Sequence, residues 1–580
     1  MCRPLYLVCA SSKSIIKAIG GAAIVIPEPG GAERVGGPFT IGAIEQRELP
    51  GQSRLYLDLL ANSPAVNEFY PNAVSRVADL AKFVPSFLKS FSTDRTVLAD
   101  SLSEFNRRVG SGERTLQNIE QLRSADSVAV VTGQQAGLFT GPAYTIYKAV
   151  SAISVAGELS RHGVNAVPVF WIASEDHDLD EVSRTFVFSD EGISDAAYRA
   201  VSAAADSPVG SVILDDGISS TIDAMFAAMP KTPFSDPLRE MIASCWQPGN
   251  AWSISFAATI AKLFSDHGLV LFDPMQPAMR RLASDGFASA IQNADAMMTA
   301  VRERSNKLVS AGYHAQVLVE DDHFPMFFID ETGSRRALRQ THGGFRAKGS
   351  SREFSRDELL EIARNSPQSL SPGVLLRPVI QDMILPTAAY VGGAAEIAYF
   401  AQNSAVYDTL GRPVTPILPR HTATLVSSRA QRAMEKLGLR FADVVEGKGE
   451  LVLTAAEREN PEIVNAFEEA GNAINAQINR LDSIAGEIAQ PVADSFTKRG
   501  RKIRYHIDAM RRLALMTKLE RDDIAKRRVA TLQNELTPRG ALQERSINFL
   551  TFVNEFGPRV IDDLIGEFAA DERRHLLLKL

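Results

Sequence analysis

Three stretches of the chain are apolar without polar alternation: SVAVVTG (127–133), AVPVFWIAS (166–174) and GLVLFDP (268–274). Runs of this kind, rich in β-branched residues, predict strands buried on both faces, as in a parallel sheet. GPAYTIYKAVSAISVAGELSRHG joins the first two with helical spacing and predicts one right-handed strand–helix–strand unit. RPVIQDMIL (377–385) and RPVTPILPR (412–420) are read as two further strands. The pattern as a whole predicts an α/β fold built on an open, doubly wound sheet. Residues 185–265 and 300–370 separate the strand candidates too widely for simple crossovers and are expected to be insertions. Within them, EDDH (320–323) before FPMFFID marks a hairpin, and Trp246 and Trp252 are core candidates.

The flanks follow other patterns. Residues 1–45 are rich in Gly, Pro and Ala with little periodicity and read as a loop or disordered extension. From 52 to 123 the spacing becomes helical. The region 426–580 reads as a helical domain. There, Ile463, Phe467, Ala470, Ile474, Ile478, Leu481, Ile484 and Ile488 follow one another at steps of three or four. A second seam runs through Val492, Phe496, Ile503, Ile507, Met510 and Leu513. These seams predict a coiled coil over about 461–535, broken near Gln490–Pro491 into an antiparallel hairpin or a kinked helix. The last forty residues read as a compact helical return to the body.

Composition narrows the function classes. In 580 residues, 45% are hydrophobic and 23% charged, and the formal net charge is −7. An acidic balance speaks against bulk binding to nucleic acid or to anionic membranes. No run approaches the ~20 apolar residues of a membrane span. The opening MCRPLYLVCASSK imitates a secretion signal, but its apolar run is too short. Cys2, Cys9 and Cys245 form no CxxC pair, and an odd number makes a poor disulfide framework. A reducing, cytoplasmic location is expected.

The chemistry is expected at the carboxyl ends of the strands, where open α/β sheets bind ligands. After the first strand comes TGQQAGLFTGP, which is neither a Walker loop nor GxGxxG. Gln134 and Gln135 are candidates for substrate hydrogen bonds. Gly133, Gly137, Thr140 and Gly141, ahead of a helix N-terminus, are candidates for an anion or nucleotide. The same glycines also fit a purely structural tight turn. Thr140, Tyr144 and Lys148 share one helix face, and Tyr144 is a further substrate-binding candidate. After the second strand, Glu175, Asp176, His177 and Asp178 crowd together. Glu175, His177 and Asp178 suit acid/base work. A divalent metal on the same groups, or a solvated turn capping a helix through Asp178 or Asp180, are the alternatives. The third tip is DPMQP. Downstream, YVGGAAEIAYFAQ places Glu396 and Tyr399 on one helix face, and Arg420 with His421 forms a candidate anion clamp, each also readable as ordinary surface or loop.

These residues carry a resemblance. VVTGQQAGLFTGPAYTIYKA, PVFWIASEDHDLDEV, YVGGAAEIAYFAQ, PVTPILPRHTATL and INFLTFVNEFGPRVIDDL, in that order, resemble the BshC family of bacillithiol-biosynthesis cysteine-adding enzymes. The resemblance runs from about residue 49 to 580; residues 1–45 do not resemble the family's usual start and read either as a local extension or as the product of an upstream start codon, with the start then expected nearer Ile44. It implies a Rossmann-like core over 46–425, related to class I aminoacyl-tRNA synthetases, and a coiled coil that makes a homodimer. It implies a ligase that joins the carboxyl of L-cysteine to the amine of glucosaminyl-malate. Activation by ATP or another nucleotide is open, and so is a metal. The synthetase His-x-Gly-His motif is absent: Thr140-Gly141-Pro142-Ala143 stands in its place. The alternatives are a same-fold enzyme acting on another amine and a non-catalytic coiled-coil scaffold.

Overall fold

The computed structural model describes residues 39–200 and 206–579, together with the strands Tyr6–Val8, Ser14–Ile19 and Ala22–Pro27. Those three strands form an antiparallel meander within a separate unit, residues 1–37. Strands therefore stand where a loop was expected, and the rest of that stretch, with Cys2 and Cys9, lies outside the described residues.

The body is organised by five parallel strands. These are β1 (Val128–Gln134), β2 (Ala166–Ile172), β3 (Val270–Phe272), β4 (Thr387–Gly392) and β5 (Ile417–Pro419). Their spatial order is 3-2-1-4-5, with every neighbouring pair parallel. This is the doubly wound order, and it reverses direction between β1 and β4. Alternate residues of β1 enter different cores: Ala129 and Val131 pack on one face, Val128 and Val130 on the other. Double-sided burial explains the unbroken apolar run. Helix α1 (Tyr144–Arg161) connects β1 to β2, and α2 (Ala394–Thr409) connects β4 to β5.

One expected strand is a helix. Residues Arg377–Ile384 form about two turns of α-helix with proline at its start, and the strand of this region is β4, a few residues later. Proline fits the first helical turn, where its missing N–H costs nothing.

Between β2 and β3 lie the hairpin Arg184–Ser189/Gly192–Ala197 and three helices within 217–263. Trp246 and Trp252 are core residues there, 1% and 0% exposed. Between β3 and β4 lies an antiparallel five-stranded sheet whose central hairpin pairs His323–Ile329 with Arg335–Thr341. A third sheet places His575–Lys579 between Thr422–Val426 and Phe39–Ile44. The closing segment is thus not wholly helical.

The seams of the C-terminal region form α3 (Pro461–Ile488) and α4 (Gln490–Glu520), broken at Ala489, whose backbone is extended. They pack as a hairpin. The buried residues are few: Ile478, Ala485, Gly500, Leu515 and Leu519. A Cβ at Gly500 would lie 2.8 Å from Ile478 Cγ2, so glycine here sets how closely the helices approach. Leu481, Ile488, Met510 and Leu513 of the expected seams remain 51%, 68%, 61% and 69% exposed.

Candidate active site

The tips of β1, β2, β4 and β5 surround one cavity of about 560 Å³ at the point where the strand order reverses. Open α/β sheets leave a crevice there because the crossovers on either side diverge. Lys148, on the second turn of α1, bridges the divide. Its ammonium donates to Gly133 O at 2.8 Å and Gln134 Oε1 at 2.9 Å, and it is ion-paired with Glu396. Its three N–H groups therefore each have an acceptor. Burial pulls the Lys148 pKa below its ordinary value, against the opposing pull of Glu396. Burial by itself would raise the Glu396 carboxyl, but Lys148 and the Gly393 amide outweigh it and hold it below the usual carboxylate range. Glu396 also accepts from Tyr390 Oη at 2.6 Å and Gly393 N at 2.7 Å, the latter capping α2. Lys148 thereby fixes the Gln134 amide, with Oε1 toward the ammonium and Nε2 toward Tyr144 Oη at 3.3 Å.

Three guanidinium groups line this cavity with no carboxylate ion pair among the described residues: Arg335, Arg377 and, where it meets the C-terminal region, Arg545. Arg377 lies against the rings of Tyr390 and Trp171, at 5.2 and 5.8 Å, and donates to Gln381 Oε1 and Tyr399 Oη. Arg335 reaches in from the antiparallel sheet, stacked 3.6 Å over Phe327 and donating to Ser371 Oγ and Pro372 O. Burial lowers the Arg335 pKa, the mark of a desolvated cation. Arg335 also approaches His177 Nδ1 at 3.3 Å. A guanidinium can only donate, so this contact requires a lone pair on Nδ1 and puts the neutral ring's proton on Nε2. Asp176 accepts from the His177 backbone N–H at 2.7 Å and from Gln135 Nε2 at 2.6 Å.

The expected residues divide accordingly. Gly133, Gln134, Gln135, Tyr144, Glu175, His177, Glu396, Tyr399 and Arg420 all line the cavity. Several do so in other roles than expected. Glu175 is ion-paired with Arg280, both nearly inaccessible, which ties down the carboxylate assigned to acid/base work. Gln135 spends its amide N–H groups on Asp176 and Glu181, so it braces the second tip. Arg420 is held by the buried Glu544 and lies 5.5 Å over the Tyr144 ring.

Four assignments are corrected. Asp178 caps a short helix by accepting from Glu181 N at 3.0 Å, and it does not line the cavity. His421 is 2% exposed, bonded to Ser151 Oγ and Ala569 O and stacked on Phe568, so it forms no anion clamp with Arg420. Thr140 is fully buried and donates to Asn548 Oδ1. Gly137 and Gly141 serve a tight turn: a Cβ on Gly137 would lie 2.7 Å from Gly141 Cα, and Gly141 has φ +67°. The N–H groups of Gly137, Leu138, Gly141, Ala143 and Thr145 donate to backbone carbonyls, so these amides are already spent on the turn. The third tip also stays outside: Asp273 accepts from Ser174 Oγ at 2.5 Å and steadies the second. Among the described residues no cluster of His, Cys, Asp and Glu could hold a metal.

The contributions missed in the sequence are Arg335, Arg377 and Tyr390, while Lys148 and Asp176 stand out in the sequence without the roles they take here. Lys148 had a signal, as the one charge in a helical stretch (145–152) that is otherwise apolar or small. Arg377-Pro378 had another, since proline marks a first helical turn. Arg335 had none, because its place depends on a sheet formed far along the chain.

Comparison of the sequence with known proteins matches it to a family. Residues 43–421 match the model described as "Bacillithiol biosynthesis BshC, N-terminal Rossmann-like domain". Residues 423–580 match "Bacillithiol biosynthesis BshC, C-terminal coiled-coil domain". Similar proteins include the "Putative cysteine ligase BshC" of Salinibacter ruber, 33% identical over 90% of this chain and 95% of that protein. Those of Koribacter versatilis (33%, covering 89% and 96%) and Geobacillus kaustophilus (32%, covering 90% and 97%) carry the same name. Two matches that tile the chain from residue 43 onward, and relatives aligned over nearly their whole length, place this chain in the BshC family.

Proposed function

We propose that this chain is the ligase that joins the carboxyl of L-cysteine to the amine of glucosaminyl-malate, forming the amide of bacillithiol. The carrying observation is that Arg335 and Arg377, with Arg545 at the edge, line one cavity without a carboxylate ion pair among the described residues. Desolvated cations are costly unless an anion joins them. The malyl group of the acceptor carries two carboxylates and meets that need. Gln134, with its amide orientation set by Lys148, adds a neutral donor. Asp176 and His177 line the same cavity, with His177 beside Arg335. An amine must shed a proton as it attacks a carbonyl, and Asp176 is the acceptor for it, while His177 donates from Nε2 to the developing oxyanion.

The exposed apolar positions of α3 and α4 support a homodimer through the coiled coil. Among the described residues no helix is long and apolar enough to cross a membrane. The buried free thiol of Cys245 fits a reducing, cytoplasmic setting.

The test is a reaction with purified protein, L-cysteine, glucosaminyl-malate and a nucleoside triphosphate, read by mass spectrometry. The expected product has the mass of the two substrates less one water. Serine or alanine in place of cysteine should give at most traces; equal use of either, or no product with any donor, would overturn the reading.

A further inference from the structure

A second cavity, of about 290 Å³, adjoins the first and shares Gln134, Gln135, Tyr144 and Arg545 with it as a partition. Gly137 and Gly141 of the β1 loop line this chamber, as do Arg184, Arg539 and Arg545. The one acid in its lining is Glu181, which already accepts from Gln135 Nε2 at 2.8 Å. Arg184 lies 3.5 Å from Asp195, whereas Arg539 and Arg545 have no carboxylate partner among the described residues. Two details mark the chamber as built. Arg539 adopts a left-handed backbone, φ +59°, and its guanidinium lies 3.8 Å over the Phe186 ring. A non-glycine residue in that region is strained and persists where its surroundings over-determine it. Thr145 lines the same chamber, is 1% exposed, and its hydroxyl has no hydrogen-bond partner. Buried hydroxyls are nearly always satisfied, so this one lacks an acceptor or donor that a ligand would bring.

We propose that this chamber is a second anion site, taking the phosphoryl groups of a co-substrate while the first cavity holds the carboxylate-bearing acceptor. Its charge, three guanidinium groups against one carboxylate, suits a polyanion. Its volume suits a pyrophosphate-sized group and is too small for a whole nucleotide. The partition would bring that group beside the first cavity, where the cysteine carboxyl, and not the acceptor's malyl carboxylates, has to be activated. The inference rests on the ligase reading in this respect only: amide formation from a free carboxylate needs an activating partner.

The test is calorimetric titration of the full chain with inorganic pyrophosphate. Saturable binding is expected, weakened at least tenfold by Arg539→Gln and by Thr145→Val, and changed less than threefold by Arg377→Gln. L-malate should not displace it. Thermal unfolding checks that each variant is folded, and Thr145→Val, nearly isosteric, keeps the test open if Arg539→Gln is not. ATP competing for the same variant-sensitive site would support a nucleotide source, and ATP without competition a free anion. Absence of saturable binding at millimolar pyrophosphate, displacement by malate, or sensitivity to Arg377→Gln in place of Arg539→Gln would overturn the chamber. Amide product formed without pyrophosphate binding would sink this inference and leave the ligase reading standing; pyrophosphate binding without amide product would do the reverse.

Discussion

The strand-tip cavity and the coiled-coil hairpin are incomplete in opposite ways. In the cavity, charges are buried and most polar atoms have a partner, yet Arg335, Arg377 and Arg545 make no ion pair with a carboxylate among the described residues. In the hairpin, apolar side chains repeat with good spacing, yet Leu481, Ile488 and Leu513 stand in solvent. The first region lacks an anion and the second lacks an apolar cover. The contrast also separates residues that hold the structure from residues that meet a ligand, and substitution can test each side.

The largest effect is expected at Lys148, which belongs to the structure-holding class. Lys148→Met leaves Glu396 buried without its cation and should cost about 3–5 kcal/mol, measured by urea denaturation. A loss below about 1 kcal/mol would show that the pair is dispensable. Arg377 should behave in the opposite way. Arg377→Gln is expected to lower kcat/KM about 100-fold, or ~2.7 kcal/mol, while unfolding free energy changes by less than about 1.5 kcal/mol. Equal losses in both measurements would erase the distinction drawn above.

In the hairpin, Gly500→Leu forces a side chain into the space of Ile478. Overpacking of this kind costs about 1–3 kcal/mol, and hydrogen exchange across 461–520 should accelerate while the strands of the body stay protected. A smaller, graded effect follows pH. Burial, first among the causes, pushes the His421 and His575 rings down to about 4. In the unfolded chain they titrate near ~6.5. Below that pH the unfolded state takes up protons that the folded state refuses. Stability is therefore complete above about pH 6.5 and falls toward pH 4, by up to ~1.4 kcal/mol per pH unit for each ring. Urea midpoints at pH 7, 6 and 5 will show the slope. The smallest change in monomer stability is expected for Leu513→Glu, within about ±0.5 kcal/mol at an exposed site. It should nevertheless dissociate a dimer, and unchanged sedimentation would exclude the seam as the contact.

The parts legible in the sequence were those that leave a local trace. β1 and β2 showed because burial on both faces removes polar alternation. β4 (TAAYVG) hid among small residues, and the segment before it was misread because eight residues with mixed apolar spacing fit a strand or a helix equally well. The location of the site followed from the strand-end rule, but its membership did not. Glu175, His177 and Asp178 are near neighbours in the chain, yet one is buried on Arg280, one faces the cavity and one caps a helix. What separates them is the direction of each side chain in a turn, set by Arg280, Arg335 and Asp273, all of them distant in the chain. The loop glycines were read for phosphate binding because glycine marks both close ligand approach and close backbone approach. Here the N–H groups of Gly137 and Gly141 are claimed by carbonyls of the loop itself, and that of Ala143 by Ile547 O from the C-terminal region.

That region has a consequence for how the protein comes into being. The strand His575–Lys579 fills the middle of a sheet between Thr422–Val426 and Phe39–Ile44. A ribosome releases the chain from its beginning, so the first edge must wait, unpaired, until residue 579 has emerged. Glu544, which steadies Arg420, and Asn548, which locks the β1 loop, arrive almost as late. A nascent chain thus carries most of a Rossmann-like body with an unfinished pocket. A chain that stops short of residue 575 lacks the central strand of that sheet and leaves Thr422–Val426 and Phe39–Ile44 without the partner that joins them.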